Sequence, residues 1–370
     1  MIILLGLAYL IKGFYNKEKI WLISERGTDA RDNGYHLFEY IRKNHPEIKI
    51  YYIIDKKSAD RKKVEEIGDI VFYRSFKHYV YFLLAEKLIS THIMGYSPEP
   101  YLFTKLDKII KFKAKKIFLQ HGIIKDNIES LYSENVNLDL FVCGAYPEYM
   151  DIKSKYGFKE GVVKYLGLCR YDNLFTNNPQ RQILLMPTWR MNINSLTAEK
   201  FKETEYFKCW NGIINNDILI KALKKAECNL IFYLHYEFQK YLDCFDKKEN
   251  VILAHFSDYD VQKLLKDSAL LVTDYSSVYF DFAYMKKPLI YYQFDLNEFQ
   301  KNQYAKGYFD YNTMGFGKVV TEESKLVNEI LENIENAFKI DTMFEKRTDE
   351  FFKIRDSKNC ERNFNTIKDI

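Results

Sequence analysis

Short apolar runs, many of them β-branched or aromatic, recur along the first half of the chain. They fall at Ile20–Ser24, Ile48–Ile54, Ile70–Tyr73, Leu88–Thr91, Lys116–Gln120, Leu140–Cys143 and Val163–Gly167. Amphipathic stretches such as Gly34–Lys43 and Phe76–Glu86 lie between several of them. Alternation of strand-length and helix-length patterns predicts parallel sheets covered by helices. Around Asn177-Asn178-Pro179 polarity rises and a proline interrupts the pattern, which reads as an interdomain linker. A second alternating set follows, with strands expected at Gln182–Trp189, Asn229–His235, Val251–Ala254, Leu270–Asp274, Pro288–Gln293 and Gly317–Val320. Helices are expected at Asp217–Glu227, Asp260–Ser268, Val278–Tyr284 and Glu322–Ala337. The tail from Asp341 to Ile370 reads as one or two charge-rich helices that end the second domain or cross back onto the first. The fold class expected is therefore α/β, with two doubly wound, Rossmann-like domains facing a central cleft. The divisions expected are 1–178, 179–340 and a helical tail at 341–370.

Length and composition narrow this picture. At 370 residues the chain suits two domains better than one. With 47% hydrophobic and 29% charged residues it has the profile of a globular protein, and disorder is not expected. Its net charge of +4 gives no dense basic stripe of the kind that marks a nucleic-acid binder. The excess does suit an anionic membrane surface or a phosphate-rich substrate. Six scattered cysteines form no CxxC pair, so free thiols are expected and a zinc site is not. The apolar run Met1–Lys12 is too short to span a bilayer and reads as a buried helix or a membrane-dipping anchor. The segment Lys105–Lys116 carries six lysines among Ile, Phe and Leu; it reads as a basic amphipathic segment for anionic headgroups or as a solvated helix face.

Ligands of doubly wound folds sit where strand C-termini open onto helix N-termini, and four such edges here carry polar chemistry. Leu270–Thr273 runs into Asp274-Tyr275-Ser276-Ser277 and then a helical pattern, which sets two hydroxyls at a helix N-terminus suited to phosphate; one of them could instead be a simple N-cap. Phe118-Leu119-Gln120 ends at His121-Gly122, a position suited to general acid–base work or to a hydrogen-bonded structural histidine. Leu185–Trp189 ends at Arg190, whose guanidinium suits bidentate phosphate contact or a salt bridge between domains. Ile231–Leu234 ends at His235. Together these ends predict a partly cationic cleft that fits a diphosphate better than a neutral substrate. His36, His45, His78, His92 and His255 have no partner spacing and read as structural or surface residues.

These segments together resemble the CDP-glycerol glycerophosphotransferase family, which builds teichoic acids and related capsular polymers. The resemblance rests on Gln120-His121-Gly122, the stretch Gly167–Leu174, Pro187-Thr188-Trp189-Arg190, Leu234-His235, Thr273–Ala283 continuing through Lys287-Pro288 to Asp295, and Lys306–Asp310. More weakly, Ser24-Glu25 and Asp32-Asn33 are similar too. The resemblance implies a GT-B fold with a CDP-linked donor between the domains, and peripheral attachment to the cytoplasmic face of the membrane. It implies that His121 is the base for the acceptor hydroxyl and that His235 contacts the donor phosphates. Arg190, Ser276, Ser277 and Thr273 would bind those phosphates, with Asp274, Asp281, Gly122 and Lys306 supporting. The donor would be CDP-glycerol or CDP-ribitol, and the acceptor a lipid-linked polymer. No obligatory cofactor or metal is expected, because no acidic cluster resembles a two-metal site. This sequence departs from family usage at Gln120, Cys169, Tyr236 and Lys306, which bears on which alditol is transferred. A GT-B glycosyltransferase using a nucleotide sugar and a non-enzymatic scaffold of a polymer-synthesis complex are the alternative readings.

Overall fold

The computed structural model describes residues 19–107, 113–175, 179–302 and 306–370. The Met1–Lys12 run, Asn177-Asn178 and the middle of the Lys105–Lys116 segment lie outside them. Two compact units emerge. The first comprises residues up to Ile123, then Ile128–Asn173 and Lys353–Ile370; the second comprises Ile124–Asn127 and Leu174–Phe352.

In the first unit seven strands form one parallel sheet: β1 (Trp21–Ser24), β2 (Ile50–Ile54), β3 (Ile70–Phe72), β4 (Lys87–Ser90), β5 (Lys115–Phe118), β6 (Leu140–Cys143) and β7 (Val163–Tyr165). Their order is β3-β2-β1-β4-β5-β6-β7. The second unit repeats the plan with β8 (Gln182–Met186), β9 (Asn229–Phe232), β10 (Val251–Leu253), β11 (Leu270–Thr273), β12 (Leu289–Tyr292) and β13 (Gly317–Val320), ordered β10-β9-β8-β11-β12-β13. All pairings in both sheets are parallel. Each sheet therefore winds outward in both directions from one pair of neighbours, β1/β4 in the first unit and β8/β11 in the second. Between them the strand order reverses, and loops leaving the two C-terminal ends diverge to opposite faces and open a crevice.

The strands are apolar on both faces because helices cover both. One face of the first sheet packs Trp21, Ile23, Ile89 and Ile117 against Leu37, Phe38 and Ile41 of the helix Asn33–Asn44. Phe364 and Ile367 of the C-terminal helix Asn359–Asp369 complete that layer. On the other face Leu22, Ile53 and Leu88 meet Phe82 and Phe103. The second sheet buries Ile183, Leu185, Leu230, Phe232 and Val272 against Trp210, Phe201 and Phe238.

The charged tail divides between the units. Helix Thr342–Phe351 belongs to the second, where Phe351 stacks on Phe280. Helix Asn359–Asp369 belongs to the first, and Asp172 holds its N-terminus by accepting from the backbone of Asn359 (2.9 Å) and Cys360 (2.8 Å). The Lys105–Lys116 segment is not one amphipathic helix. Helix Pro100–Leu106 takes in only its first two residues, and Lys115 and Lys116 lie in β5, where Lys116 is buried and paired with Asp107. Among the described residues no helix is long and apolar enough to cross a membrane. All six cysteines are free thiols.

Candidate functional sites at two sheet switch points

In the first unit polar groups collect where β1, β4 and β5 end. Glu25, one residue past β1, is buried and accepts N–H bonds from Arg31 (2.9 Å), Asp32 (2.7 Å) and Tyr35 (3.1 Å). Burial pushes its pKa up to about 8, with the Asp32 charge adding to the shift. Asp32 caps the helix Asn33–Asn44 through its own carboxylate and pairs with Arg170 at 2.7 Å. Burial also raises the Asp32 pKa, against the opposing charges of Arg170 and His121. Arg170 reaches further and donates to the His121 carbonyl at 2.7 Å. Asn33, fully buried, ties the same groups together. Its amide donates to the Gln120 carbonyl (2.7 Å), and its side-chain oxygen accepts from the Arg170 backbone (3.0 Å).

His121 thus stands at the end of β5 with its backbone held from both sides. Gln120 before it takes φ +60°, a left-handed turn that a non-glycine residue adopts at a cost, and that ends the strand and swings His121 out of the sheet. The His121 ring keeps solvent access on one side, while protein crowds the other. That crowding lowers its pKa below the ordinary 6.5; Asp32 opposes the shift, and Arg170 and Arg26 add to it. A neutral imidazole at physiological pH is the form able to take a proton. Gly122 follows, buried. Sequence spacing left His92 without a partner, but its ring stacks on that of His121, with centroids 4.7 Å apart and planes 15° from parallel. The signal was present in the sequence: each histidine directly follows an apolar run, Leu88–Thr91 or Lys116–Gln120, and β4 and β5 are neighbours.

The second unit builds its site on the β8/β11 switch point. Asp274, fully buried just after β11, accepts from the Thr188 N–H (2.8 Å), the Thr188 hydroxyl and the Tyr275 N–H (2.6 Å). Its other oxygen takes Arg190 at 2.7 Å. The remaining Arg190 nitrogens donate to Asp295 (2.7 Å) and to the Thr188 carbonyl (2.7 Å). Tyr275, Tyr206 and Phe299 lie around the guanidinium, with centroids 5.1, 5.3 and 4.9 Å away. Burial works against this charge, yet Asp274 and Asp295 more than offset it, and the pKa of Arg190 is raised above its ordinary value. All three of its nitrogens have carboxylate or carbonyl partners within this unit. Thr273 likewise spends its hydroxyl inside the sheet, on the Met186 carbonyl at 2.7 Å.

Ser276 and Ser277 stand differently. Ser277 occupies the N-cap of helix Val278–Tyr284 yet makes no side-chain cap bond, so the simple capping reading is not realised. Among the described residues neither serine hydroxyl has a hydrogen-bond partner. Asp281 is buried in the same helix. At the end of β9, His235 caps a 3-10 turn through Nδ1, which accepts from the Glu237 N–H at 3.3 Å. That bond leaves the proton of the neutral ring on Nε2 as a donor. The ring stacks on Trp189 at 6.0 Å. Lys306 is exposed and lines a cavity of about 400 Å³ together with Lys125, Tyr275, Gln293, Asp310 and Tyr311. Among the described residues, no group of three or more His, Cys, Asp or Glu is placed to hold a metal ion.

Two parallel α/β units of Rossmann-like order, each with polar chemistry at its switch point, define a protein of the GT-B-like class. The α/β class expected from the strand–helix alternation is the one found. The family model for CDP-glycerol:poly(glycerophosphate) glycerophosphotransferases matches residues 7–369, and the chain belongs to that family. It is 36% identical over 369 residues to the minor teichoic acid biosynthesis protein GgaB of Bacillus subtilis strain 168, covering 96% of this chain and 40% of that protein. It is 27% identical over 223 residues to a teichoic acid poly(glycerol phosphate) polymerase of Bacillus spizizenii, covering 59% of this chain and 45% of that protein. The chain thus spans less than half the length of these curated relatives. Among solved structures, the wall teichoic acid polymerase TagF superposes with a TM-score of 0.71 at 18% identity, over 99% of this chain and 92% of that one. A variant of that polymerase was also solved after a soak with CDPG.

Proposed function

We propose that this chain transfers glycerol phosphate, or a related alditol phosphate, from a CDP-linked donor to a hydroxyl of a lipid-linked teichoic-acid-like or capsular polymer. The observation that carries the reading is the family match over residues 7–369, which takes in the switch-point residues of both units. The acceptor oxygen attacks the phosphorus that bears the alditol. The bond from that phosphorus to the bridging oxygen breaks, and CMP leaves with the bond's electron pair. His121 takes the hydroxyl proton, a role supported by a ring kept neutral and solvent-accessible. Nε2–H of His235 and the hydroxyls of Ser276 and Ser277, unpartnered among the described residues, donate to the diphosphate as charge builds on it.

Arg190 contributes indirectly. It fixes the Asp274 loop from which the two serines follow, and supplies a buried positive charge behind it. Thr273 anchors the same segment through the Met186 carbonyl, Asp281 lies buried in the helix that follows, and Lys306 supplies an exposed cation beside the cavity. The mechanism invokes no obligatory metal. We place the protein at the cytoplasmic membrane face, attached peripherally, where a lipid-linked acceptor is within reach.

Mass spectrometry of products tests this, using CDP-glycerol and CDP-ribitol with a lipid-linked acceptor. CMP release with an acceptor heavier by one or more alditol phosphates is expected. Turnover of UDP-sugars with no CMP released from either CDP donor would replace this reading with glycosyl transfer.

A further inference from the structure

We propose that His92 is a positioning residue for His121: its ring holds the His121 imidazole in a fixed plane by stacking, and shields one face from water. The inference rests on the reading of His121 as the base.

The stack is built, since His92 sits on a turn pinned to the end of β1. Ser90 Oγ donates to the Glu25 carbonyl (2.9 Å) and accepts from the His92 N–H (3.1 Å). Thr91 Oγ1 lies 2.9 Å from His92 Nδ1 and holds the ring from behind. The turn closes through Gly95 N–H to the His92 carbonyl (3.0 Å) and Ser97 N–H to the Met94 carbonyl (2.9 Å). Gly95 packs so closely that an added Cβ would lie 2.0 Å from the Glu25 carbonyl oxygen, so the turn sits tight against the residue that follows β1.

Stacking at 4.7 Å and 15° leaves the His121 ring edge, and hence its nitrogens, free to face substrate. A proton acceptor works only within hydrogen-bond reach and alignment, so restricting rotation of the ring lowers the entropy lost on reaching that geometry. The charged groups that act on His121 come from two segments: Arg26 and Asp32 follow β1, and Arg170 follows β7. His92 itself is held neutral, its pKa lowered to about 3 by burial, with His121 and Arg26 contributing. It therefore adds bulk and a polarisable face to the stack without a competing charge at working pH.

The test compares His92→Ala, His92→Phe and wild type by two readouts, after equal thermal midpoints show that each is folded. NMR titration of ring-labelled histidines, with the His121 signal identified by its loss in His121→Ala, should show the His121 pKa rising toward 6.5 in His92→Ala and staying near the wild-type value in His92→Phe. Turnover should fall about tenfold or more in His92→Ala with donor KM little changed, and the acid limb of its pH–rate profile should move to higher pH. His92→Phe should recover most of that loss. An unchanged His121 titration in His92→Ala overturns the proposal, as does a His92→Phe variant that matches His92→Ala in both readouts. Normal turnover in His121→Ala would instead overturn the base assignment. The titration shift, which needs no turnover, would still bear out the stack.

Discussion

Arg190 and Asp274 meet at 2.7 Å with both side chains buried, and a second carboxylate, Asp295, closes the far side of the same guanidinium. Removing one partner of such a pair strands a charge out of water, and typically costs about 3–5 kcal/mol. Asp274→Asn should lose about that much in urea unfolding, and should lower turnover because the loop that carries Ser276 and Ser277 loosens. A loss of less than about 1 kcal/mol would show that the pair is not held in a dry site.

The two serines should behave in the opposite way. Their hydroxyls bond to nothing among the described residues, so Ser276→Ala and Ser277→Ala should each change stability by no more than about 0.5 kcal/mol. If the hydroxyls meet donor phosphate, the same variants should lower kcat/KM for the CDP donor by about tenfold. Unchanged kcat/KM in the double variant would remove both residues from the donor site.

Acid sensitivity should trace in part to His78. Its Nδ1 accepts from the Arg74 N–H (3.1 Å) and its Nε2 faces the Tyr96 carbonyl (3.0 Å), with the ring fully buried. Burial lowers its pKa to about 4 from 6.5, so the unfolded chain binds the proton more readily between those values. Stability is therefore complete above 6.5 and falls as pH drops toward 4, by roughly 3 kcal/mol for this residue. Urea unfolding from pH 7 to 4 should show that slope, and His78→Gln should flatten it. Equal slopes in the two proteins would assign the acid loss elsewhere.

Gly307 follows Lys306 where the chain passes against Lys125-Asp126. A Cβ there would lie 2.2 Å from the Lys125 carbonyl oxygen and 2.7 Å from the Asp126 Cα. Both are backbone atoms and cannot swing aside as a side-chain tip would. Gly307→Ala should destabilise by about 1–3 kcal/mol and displace Lys306 from the cavity beside Tyr275. Thermal unfolding and donor affinity measured together check both effects, and a variant normal in each would show that the Lys125-Asp126 backbone gives way to a Cβ at no cost.

Every strand expected from the apolar runs is present, because strands covered by helices on both faces must be apolar throughout, and that is a local property. Expected ends overshoot where polarity did not mark the stop. β8 ends at Met186 because Pro187 has no N–H for the ladder, although apolar character continues to Trp189. β5 ends at Phe118, two residues early, because Gln120 turns left-handed.

Residue types at strand ends, set by the order of letters along the chain, already marked His121, Arg190, His235 and the Ser276-Ser277 pair as candidates for chemistry. What each of them touches depends on which strands become neighbours, and sheet order is a long-range outcome of packing. Pairing β4 with β5 put His92 against His121, and pairing β8 with β11 gave Arg190 to Asp274 and left two serines without a side-chain bond among the described residues. Carboxylates 84 and 105 residues away in the chain claimed the guanidinium. A buried charge must find a counter-charge wherever the fold brings one, and no local pattern records that distance.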